Sequence, residues 1–399
     1  MHQALRREMG LGGAIVTGLG SILGTGAFVA IGVAAGMWGD AVLAAVPIAG
    51  VVAVFNGLSS AYLAGRFPVA GGTYEYGYQT LGPWWGFTAG WLFLLAKTAS
   101  AATAAVGVAL YLGIPWDRRV VAVGAVVVVT GMVLTGLRRT IVVNTLLVTV
   151  TVVAIVTFGI TSLVEPAAAT TIDSGRMGDG LPAATAFLFV AYTGYRRIAT
   201  LGEEVRRPER IIPRAVIVTL AIAVVLYGLV EVGGRAAGGL YWGRVFEDDL
   251  TPASLLSRPF STVWAIGAVT AMLGALLNLV LGLSRVWLAM GRRRDMPGGL
   301  ALLNVRSAPV NAVIAAAVPV ALVALIGDVS VAWSFAAFNV LLYYGITNLS
   351  ALALDRRRWT AWLGLGSCVS LSFFVPLVVW MIGAALIGLG LIWKGQRRG

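Results

Sequence analysis

The stretch that decides the fold is Gly20-Ser21-Ile22-Leu23-Gly24-Thr25-Gly26-Ala27-Phe28, which lies inside the first membrane-length apolar segment. Glycine costs about 1 kcal/mol relative to alanine in a helix interior, so these glycines weaken the helix at mid-membrane depth. Unwound backbone there leaves N–H and C=O groups that hydrocarbon cannot satisfy. Two interpretations follow: a substrate site lined by protein or water, or a small-residue surface on which another helix packs closely.

The rest of the chain has the composition of a helical membrane protein. Of its 399 residues, 59% are hydrophobic and 12% are charged, whereas soluble domains contain about 25% charged residues. Apolar stretches of about 17 to 25 residues, each long enough to cross a bilayer, recur along the whole length. The pattern predicts an all-α polytopic membrane protein without a separate soluble domain.

About twelve transmembrane helices fit the hydropathy pattern, and they are numbered here as spans 1 to 12. Spans 11 and 12 are short and meet near Pro376, so eleven spans is the alternative. The predicted spans are 11–36, 41–65, 83–113, 119–137, 141–164, 182–202, 213–237, 262–290, 308–327, 329–350, 360–377 and 378–394.

The net charge of +12 is explained by membrane topology. Basic runs such as Arg292-Arg293-Arg294 and Arg356-Arg357-Arg358 fall in loops on one side, whereas the acidic run Glu247-Asp248-Asp249 falls on the other. The positive-inside rule then predicts a multi-pass protein of the cytoplasmic membrane with both termini in the cytoplasm. No nucleic-acid partner is expected.

Other functional classes lack the residues that they need. Cys368 is the single cysteine, and the single histidine, His2, lies at the terminus. Because no carboxylate pair lies at membrane depth, we find no catalytic constellation and expect no enzyme, metal site or cofactor. A channel needs a continuous polar lining or a ring of filter groups, and the polar residues here are scattered.

A second interruption lies five spans after the first, in Phe187-Leu188-Phe189-Val190-Ala191-Tyr192-Thr193-Gly194-Tyr195 of span 6. Interrupted segments at matching places in two halves point to a binding site between inverted repeats. Since five is odd, the second half must be inverted relative to the first. This predicts one transmembrane domain over residues 1–399, with repeats at about 11–164 and 182–350 and extra helices at about 360–394.

Several motifs in order along the chain resemble those of the amino acid–polyamine–organocation permease family. Besides the glycine-rich first helix, they are Phe67-Pro68-Val69-Ala70-Gly71-Gly72-Thr73-Tyr74, Glu203-Glu204-Val205-Arg206-Arg207-Pro208-Glu209-Arg210-Ile211-Ile212-Pro213-Arg214, Ser284-Arg285-Val286-Trp287-Leu288-Ala289-Met290 and Ala308-Pro309-Val310-Asn311-Ala312. The resemblance implies two inverted five-helix repeats with broken helices 1 and 6, plus two C-terminal helices. It also implies transport of amino acids or related amines by alternating access.

The two interruptions offer backbone groups that suit a free amino acid. N–H groups at a half-helix N-terminus suit its carboxylate, and we assign that role to Thr25 and Gly26, with Gly24 supplying flexibility. Carbonyls that precede a break suit its ammonium group. The candidates for that second role are Ile22, Leu23, Val190 and Ala191.

The second interruption also carries aromatic side chains around Gly194. Tyr192 and Tyr195 flank it and are candidates for covering the substrate or shaping a side-chain pocket. The alternative for either tyrosine is a hydrogen bond between helices.

Lys97 stands about halfway along span 3. A lysine at the bilayer centre costs at least about 2.5 kcal/mol on insertion scales, so it should face the protein interior. Burial favours the neutral amine, which would let Lys97 exchange a proton during transport. Snorkelling is the alternative, but about a dozen residues separate Lys97 from either end of the span.

The resemblance also reveals where charges depart from the family pattern. Lys97 matches a third-helix position that faces the substrate pocket in the family. Several bacterial relatives carry a lysine in helix five where this chain has Thr151. Many family members carry an acid shortly after the helix-six glycine and aromatic pair, where this chain has Arg196. A family glutamate near the end of helix two is replaced by Tyr62, and Glu231, the deep acid, is expected nearer the outer face.

The sequence therefore predicts a secondary active transporter of neutral or small, non-cationic amino acids, working by proton symport or by exchange. Its expected partners are the amino acid substrate, the lipid bilayer and protons. Sodium coupling is a less favoured alternative, because Thr270, Asn278 and Ser284 of span 8 include no adjacent hydroxyl pair. An amino-acid sensor on a transporter fold would keep the same binding site and is the other alternative.

Overall fold

The structure is a computed structural model that describes residues 9–67, 71–135, 137–164, 180–199, 205–238, 260–303 and 309–397. Within these ranges the chain is helical throughout, apart from short turns and one isolated β-bridge between Met9 and Val205. His2, the acidic run 247–249, residues 68–70 and residues 203–204 lie outside the described residues.

The helices of the described residues follow the predicted order of twelve spans. Span 1 consists of Leu11–Ile22, Gly26–Ala30 and Ile31–Trp38, and span 6 of Leu181–Tyr192, Thr193–Tyr195 and Arg196–Ala199. The uninterrupted spans, numbers 2 to 5 and 7 to 12, are Ala41–Arg66, Pro83–Leu112, Arg118–Thr135, Leu137–Val164, Pro208–Gly238, Phe260–Arg292, Val310–Ile326, Val329–Leu354, Trp359–Ser372 and Leu377–Gln396.

Length and hydropathy mark this chain as a multi-pass membrane protein. Among the described residues, 7 helices are long and apolar enough to cross a membrane, and span 1 adds an eighth as a pair bent by 44°. Leu181–Tyr195 and Val310–Ile326 are apolar but shorter. Trp359–Ser372 and Leu377–Gln396 are separate helices, and of the two only Leu377–Gln396 is long and apolar enough to cross a membrane alone.

Local sequence sets several helix ends. Span 3 starts with Pro83, whose missing N–H costs nothing at a helix start, and ends at Gly113, whose φ of 58° is left-handed. Span 10 begins after Asp328, whose carboxylate accepts a hydrogen bond of 2.9 Å from the Val331 N–H.

Span 3 lies at the centre of the helix packing. It packs against spans 8 and 10, while span 2 packs against span 7 and the first half of span 6. Small residues allow this closeness: a Cβ at Gly50 would meet Val224 of span 7, and one at Gly107 would meet Met272 of span 8. Spans 2 and 3 thus both pack closely on helices from the second half of the chain.

The connection between spans 2 and 3 contains a short helix, Thr73–Thr80, which the sequence analysis does not predict. The hydroxyls of Tyr74 and Tyr78 donate to the buried carboxylate of Asp295, which also pairs with Lys394 of span 12. Burial and the neighbouring Asp295 carboxylate raise the pKa of Tyr74 well above its ordinary value, so its hydroxyl stays a donor. This buried cluster ties the short helix to the ends of spans 8 and 12.

Candidate functional site

Span 1 is interrupted where its glycines predict. The first half ends at Ile22, and Leu23 has an extended ψ of 95°. The N–H groups of Ala27 and Phe28 both bond to the Gly24 carbonyl, at 3.2 and 3.4 Å, as a new helical segment starts. Thr25 and Gly26 thus stand at the N-terminal end of the second half, where backbone N–H groups have no partner in the preceding turn.

The interruption in span 6 is milder than the one in span 1. Its helix tightens to a single 3₁₀ turn at Thr193–Tyr195 and then resumes, so the backbone is not unwound. The Thr193 hydroxyl donates to the Val190 carbonyl at 2.7 Å. One of the predicted ammonium-binding carbonyls is therefore occupied by a neighbouring side chain.

Glycines hold the two interruptions against each other. A Cβ at Gly194 would collide with the backbone carbonyl of Ser21, and a Cβ at Gly26 would lie 2.7 Å from the Cβ of Ala191. A Cβ at Gly24 would lie 2.7 Å from the Cβ of Ala275 in span 8. The glycine run is thus a close-packing surface as well as a helix break, so the two interpretations of it do not exclude each other.

A tyrosine of span 7 bridges the two interruptions. The Tyr227 hydroxyl lies 2.8 Å from the carbonyl oxygen of Ile22 and 3.1 Å from that of Ala191. Two carbonyls assigned to a substrate ammonium are therefore held by one protein donor. Sequence reasoning missed Tyr227, although a buried tyrosine in an apolar span generally finds a hydrogen-bond partner.

The two predicted pocket tyrosines are fully buried and face different helices. Tyr192 donates to the Val46 carbonyl of span 2 at 2.9 Å, and its ring centroid lies 5.0 Å from that of Tyr227. Tyr195 packs its ring 5.7 Å from Tyr344 of span 10. For Tyr192 the structure thus shows the interhelical hydrogen bond given above as the alternative.

Lys97 reaches the second interruption and not a span end. Its ammonium nitrogen donates to the Thr193 hydroxyl at 2.9 Å, and the side chain is only partly buried. Tyr344 donates to the Thr193 carbonyl at 3.4 Å. Thr193, absent from the predicted site residues, therefore joins span 3 to spans 6 and 10.

Arg196 lies one helical turn beyond Thr193, between two aromatic rings. Its guanidinium carbon is 4.1 Å from the ring centroid of Phe93 and 4.8 Å from that of Tyr343. Its Nη1 atom is buried without a hydrogen-bond partner in the described part of the chain. A Cβ at Gly72 would lie 2.7 Å from Nη2, so the backbone at Gly72 packs closely on the guanidinium group.

Lys97 and Arg196 are close enough for their positive charges to repel each other. Glu231 does not neutralise them, because it pairs with Arg235 at 2.6 Å, and Arg235 also binds Asp40. Asp40 precedes span 2 whereas Gly72 follows it, so the Glu231 cluster and Arg196 lie at opposite ends of that span.

Two other sequence candidates lie apart from this arrangement. Thr151 is buried, and its hydroxyl donates to the Leu147 carbonyl of its own helix at 2.7 Å. Tyr62, which replaces a family glutamate, instead stacks with arginines: the guanidinium carbon of Arg358 is 3.7 Å from its ring centroid and that of Arg66 is 4.9 Å away.

Comparison with known proteins gives the family. A sequence model described as amino acid permease matches residues 13–394. The chain belongs to the amino acid permease family. This membership and the helical architecture confirm the predicted fold class.

Individual relatives of this amino acid permease are also transporters by name. An uncharacterized transporter of Mycobacterium tuberculosis is 40% identical over 413 residues, covering 99% of this chain and 92% of the relative. The branched-chain amino acid permease BcaP of Bacillus subtilis is 26% identical over 332 residues, covering 76% and 71%. Cationic amino acid transporter 3, mitochondrial, of Arabidopsis thaliana is 28% identical over 385 residues, covering 88% and 63%.

Proposed function

We propose that this permease carries amino acids across the cytoplasmic membrane by alternating access, with both termini in the cytoplasm. The observation that carries the proposal is the direct packing of the two interruptions, Gly26 on Ala191 and Gly194 on Ser21. A small movement of either interrupted span changes what the other can bind, as alternating access requires. The distribution of basic loops supports the orientation.

The backbone at the interruptions binds the two charged groups that all amino acids share. The N–H groups of Thr25 and Gly26 take the carboxylate. The substrate ammonium takes the carbonyls of Ile22 and Ala191, for which it must replace the Tyr227 hydroxyl as donor. One donor thus replaces another, and the carbonyls stay satisfied in both states.

Lys97 and Arg196 make the site unfavourable for cationic side chains. A substrate charge about 6 Å from one of them meets a repulsion of about 3 kcal/mol at an effective dielectric constant of about 20. That energy corresponds to roughly hundredfold weaker binding. We therefore assign neutral or small amino acids to this permease, even though one of its relatives is named for cationic ones.

Lys97 is our candidate for proton coupling. Its charged form is repelled by Arg196, so loss of its proton relieves that repulsion and frees Thr193 to rearrange. Coupling by exchange between substrates fits the same site. Sodium is less favoured, since Thr270, Asn278 and Ser284 of span 8 include no adjacent hydroxyl pair.

Uptake by the purified permease in proteoliposomes tests this function. We expect saturable uptake of labelled alanine or leucine, little uptake of arginine or putrescine, and no change when sodium is replaced by choline. Lys97→Ala should flatten the pH dependence of uptake. Strong arginine uptake would contradict the specificity, loss of uptake in choline would establish sodium coupling, and binding without uptake would indicate a sensor.

A further inference from the structure

The cations at the second interruption have more donor capacity than the described protein uses. Lys97 carries three N–H donors and has one hydrogen bond, to Thr193. Arg196 is held by the faces of Phe93 and Tyr343, which leaves the edge of its guanidinium plane for hydrogen bonds. Its Nη1 atom has no partner in the described ranges.

We propose that the preferred substrate of this permease carries a second carboxylate, in its side chain, and that this carboxylate binds between Lys97 and Arg196. The inference rests on the proposed function, because it takes the amino acid at the two interruptions as given. Whereas the proposed function covers neutral or small, non-cationic amino acids in general, this inference makes the acidic ones, aspartate and glutamate, the preferred substrates.

The spacing of the two cations suits a single carboxylate. Phe93 lies four residues before Lys97 on span 3, and Arg196 follows Thr193 by three residues on span 6. At a rise of 1.5 Å per residue, each of these offsets is about one helical turn, so the two cationic side chains make their contacts about one turn apart along the bundle. A carboxylate has two oxygens and can accept a hydrogen bond from one donor on each side.

Acids of the neighbouring elements are already engaged elsewhere. Glu75 of the short helix pairs with Arg293, and Asp295 pairs with Lys394. Glu231 belongs to the cluster at the other end of span 2. Among the described residues no acid pairs with Lys97 or Arg196, so an acidic substrate gains electrostatic energy that a neutral one leaves unused.

The proposed subsite lies within reach of the groups that bind the rest of the substrate. Thr193, the partner of Lys97, precedes Gly194, which packs on the end of the first half of span 1. Lys97 and Arg196 are each partly exposed as whole residues although they point into the helix bundle, whereas the Nη1 atom of Arg196 is buried. The proposed subsite places a short acidic side chain beside these two residues.

Competition among matched substrates tests the inference in proteoliposomes of the full-length permease. Aspartate is compared with asparagine and glutamate with glutamine, because each amide has nearly the shape of its acid without the charge. We expect at least about tenfold lower KM for the acid. Lys97→Met and Arg196→Gln should each reduce the ratio of acid uptake to amide uptake about tenfold.

Three controls test whether the preference for acids depends on the charges of these two residues and on an amino acid substrate. Arg285→Gln removes an exposed arginine of span 8 and should leave the preference unchanged. Arg196→Lys keeps the charge and should retain much of the preference that Arg196→Gln loses, even if both variants are less stable. Succinate has two carboxylates but no ammonium group and should be a poor substrate.

The outcomes distinguish failure of the acidic subsite from failure of the proposed amino acid transport. Equal or better uptake of the amides would overturn the acidic subsite and leave amino acid transport standing. A preference for acids that survives both Lys97→Met and Arg196→Gln would place the subsite elsewhere. Succinate uptake matching that of aspartate, or no uptake of any amino acid, would overturn the proposed function itself.

Discussion

Removing the Tyr227 hydroxyl tests the link between the two interruptions. In Tyr227→Phe the carbonyls of Ile22 and Ala191, 2.8 and 3.1 Å from that hydroxyl, lose their shared donor. An unsatisfied buried acceptor costs about 1–3 kcal/mol, and one lost donor therefore destabilises the empty protein by about 1–2 kcal/mol. The substrate ammonium then meets carbonyls without a competitor, so substrate should bind up to about tenfold more tightly.

The assay is a thermal-shift titration of the purified protein with and without substrate. We expect a lower melting temperature for empty Tyr227→Phe and a larger stabilisation at the same substrate concentration. Tyr111→Phe is the matched control, because its buried hydroxyl donates to the Phe28 carbonyl, beyond the break in span 1. It should destabilise the protein without tightening substrate binding. Unchanged or weaker binding by Tyr227→Phe would refute a substrate ammonium at these carbonyls.

Three further substitutions probe the surrounding structure. Gly194→Ala places a Cβ against a span 1 carbonyl and should lower the free energy of unfolding by about 1–3 kcal/mol, measured by thermal melting. Gly228→Ala is its control, because its Cβ meets open space and should leave the melting temperature unchanged. Asp295→Asn leaves the lysine of span 12 buried without its carboxylate and should cost about 3 kcal/mol; Glu75→Gln, in a half-exposed ion pair, should cost less than about 1 kcal/mol. Thr193→Val removes the acceptor of the span 3 ammonium and should alter the pH profile of uptake in the same way as removing the lysine; a profile identical to that of the unmodified protein would separate the two residues.

The membrane spans could be predicted from the sequence because hydropathy is a local property. The break in span 1 was also predictable, since glycine weakens a helix wherever it stands. The severity of the break in span 6 could not be predicted from the sequence. One glycine among aromatic residues allows either an unwound segment or the 3₁₀ turn that Thr193–Tyr195 forms. The 3₁₀ turn packs its Gly194 against the backbone of Ser21, and that contact joins residues far apart in the chain.

The contrast between local properties and contacts of distant residues also explains which site residues could be predicted. Lys97 stood out because a charge at membrane depth is costly wherever it occurs. Tyr227 and Thr193 did not, because a tyrosine or a threonine in an apolar span is ordinary until its partner is known. Their roles come from contacts between spans 7 and 1 and between spans 3 and 6. The limits of the two inverted repeats remain a prediction.

The central claim is that an amino acid binds between the interruptions of spans 1 and 6. An experimental structure of the purified permease with saturating L-aspartate, and a second with L-alanine, measures this directly. We predict ligand density within hydrogen-bond distance of the Thr25 and Gly26 N–H groups, with the side chain of aspartate directed toward Lys97. Density at any other place, or an unoccupied interface between the two interruptions at saturating ligand, would contradict the account.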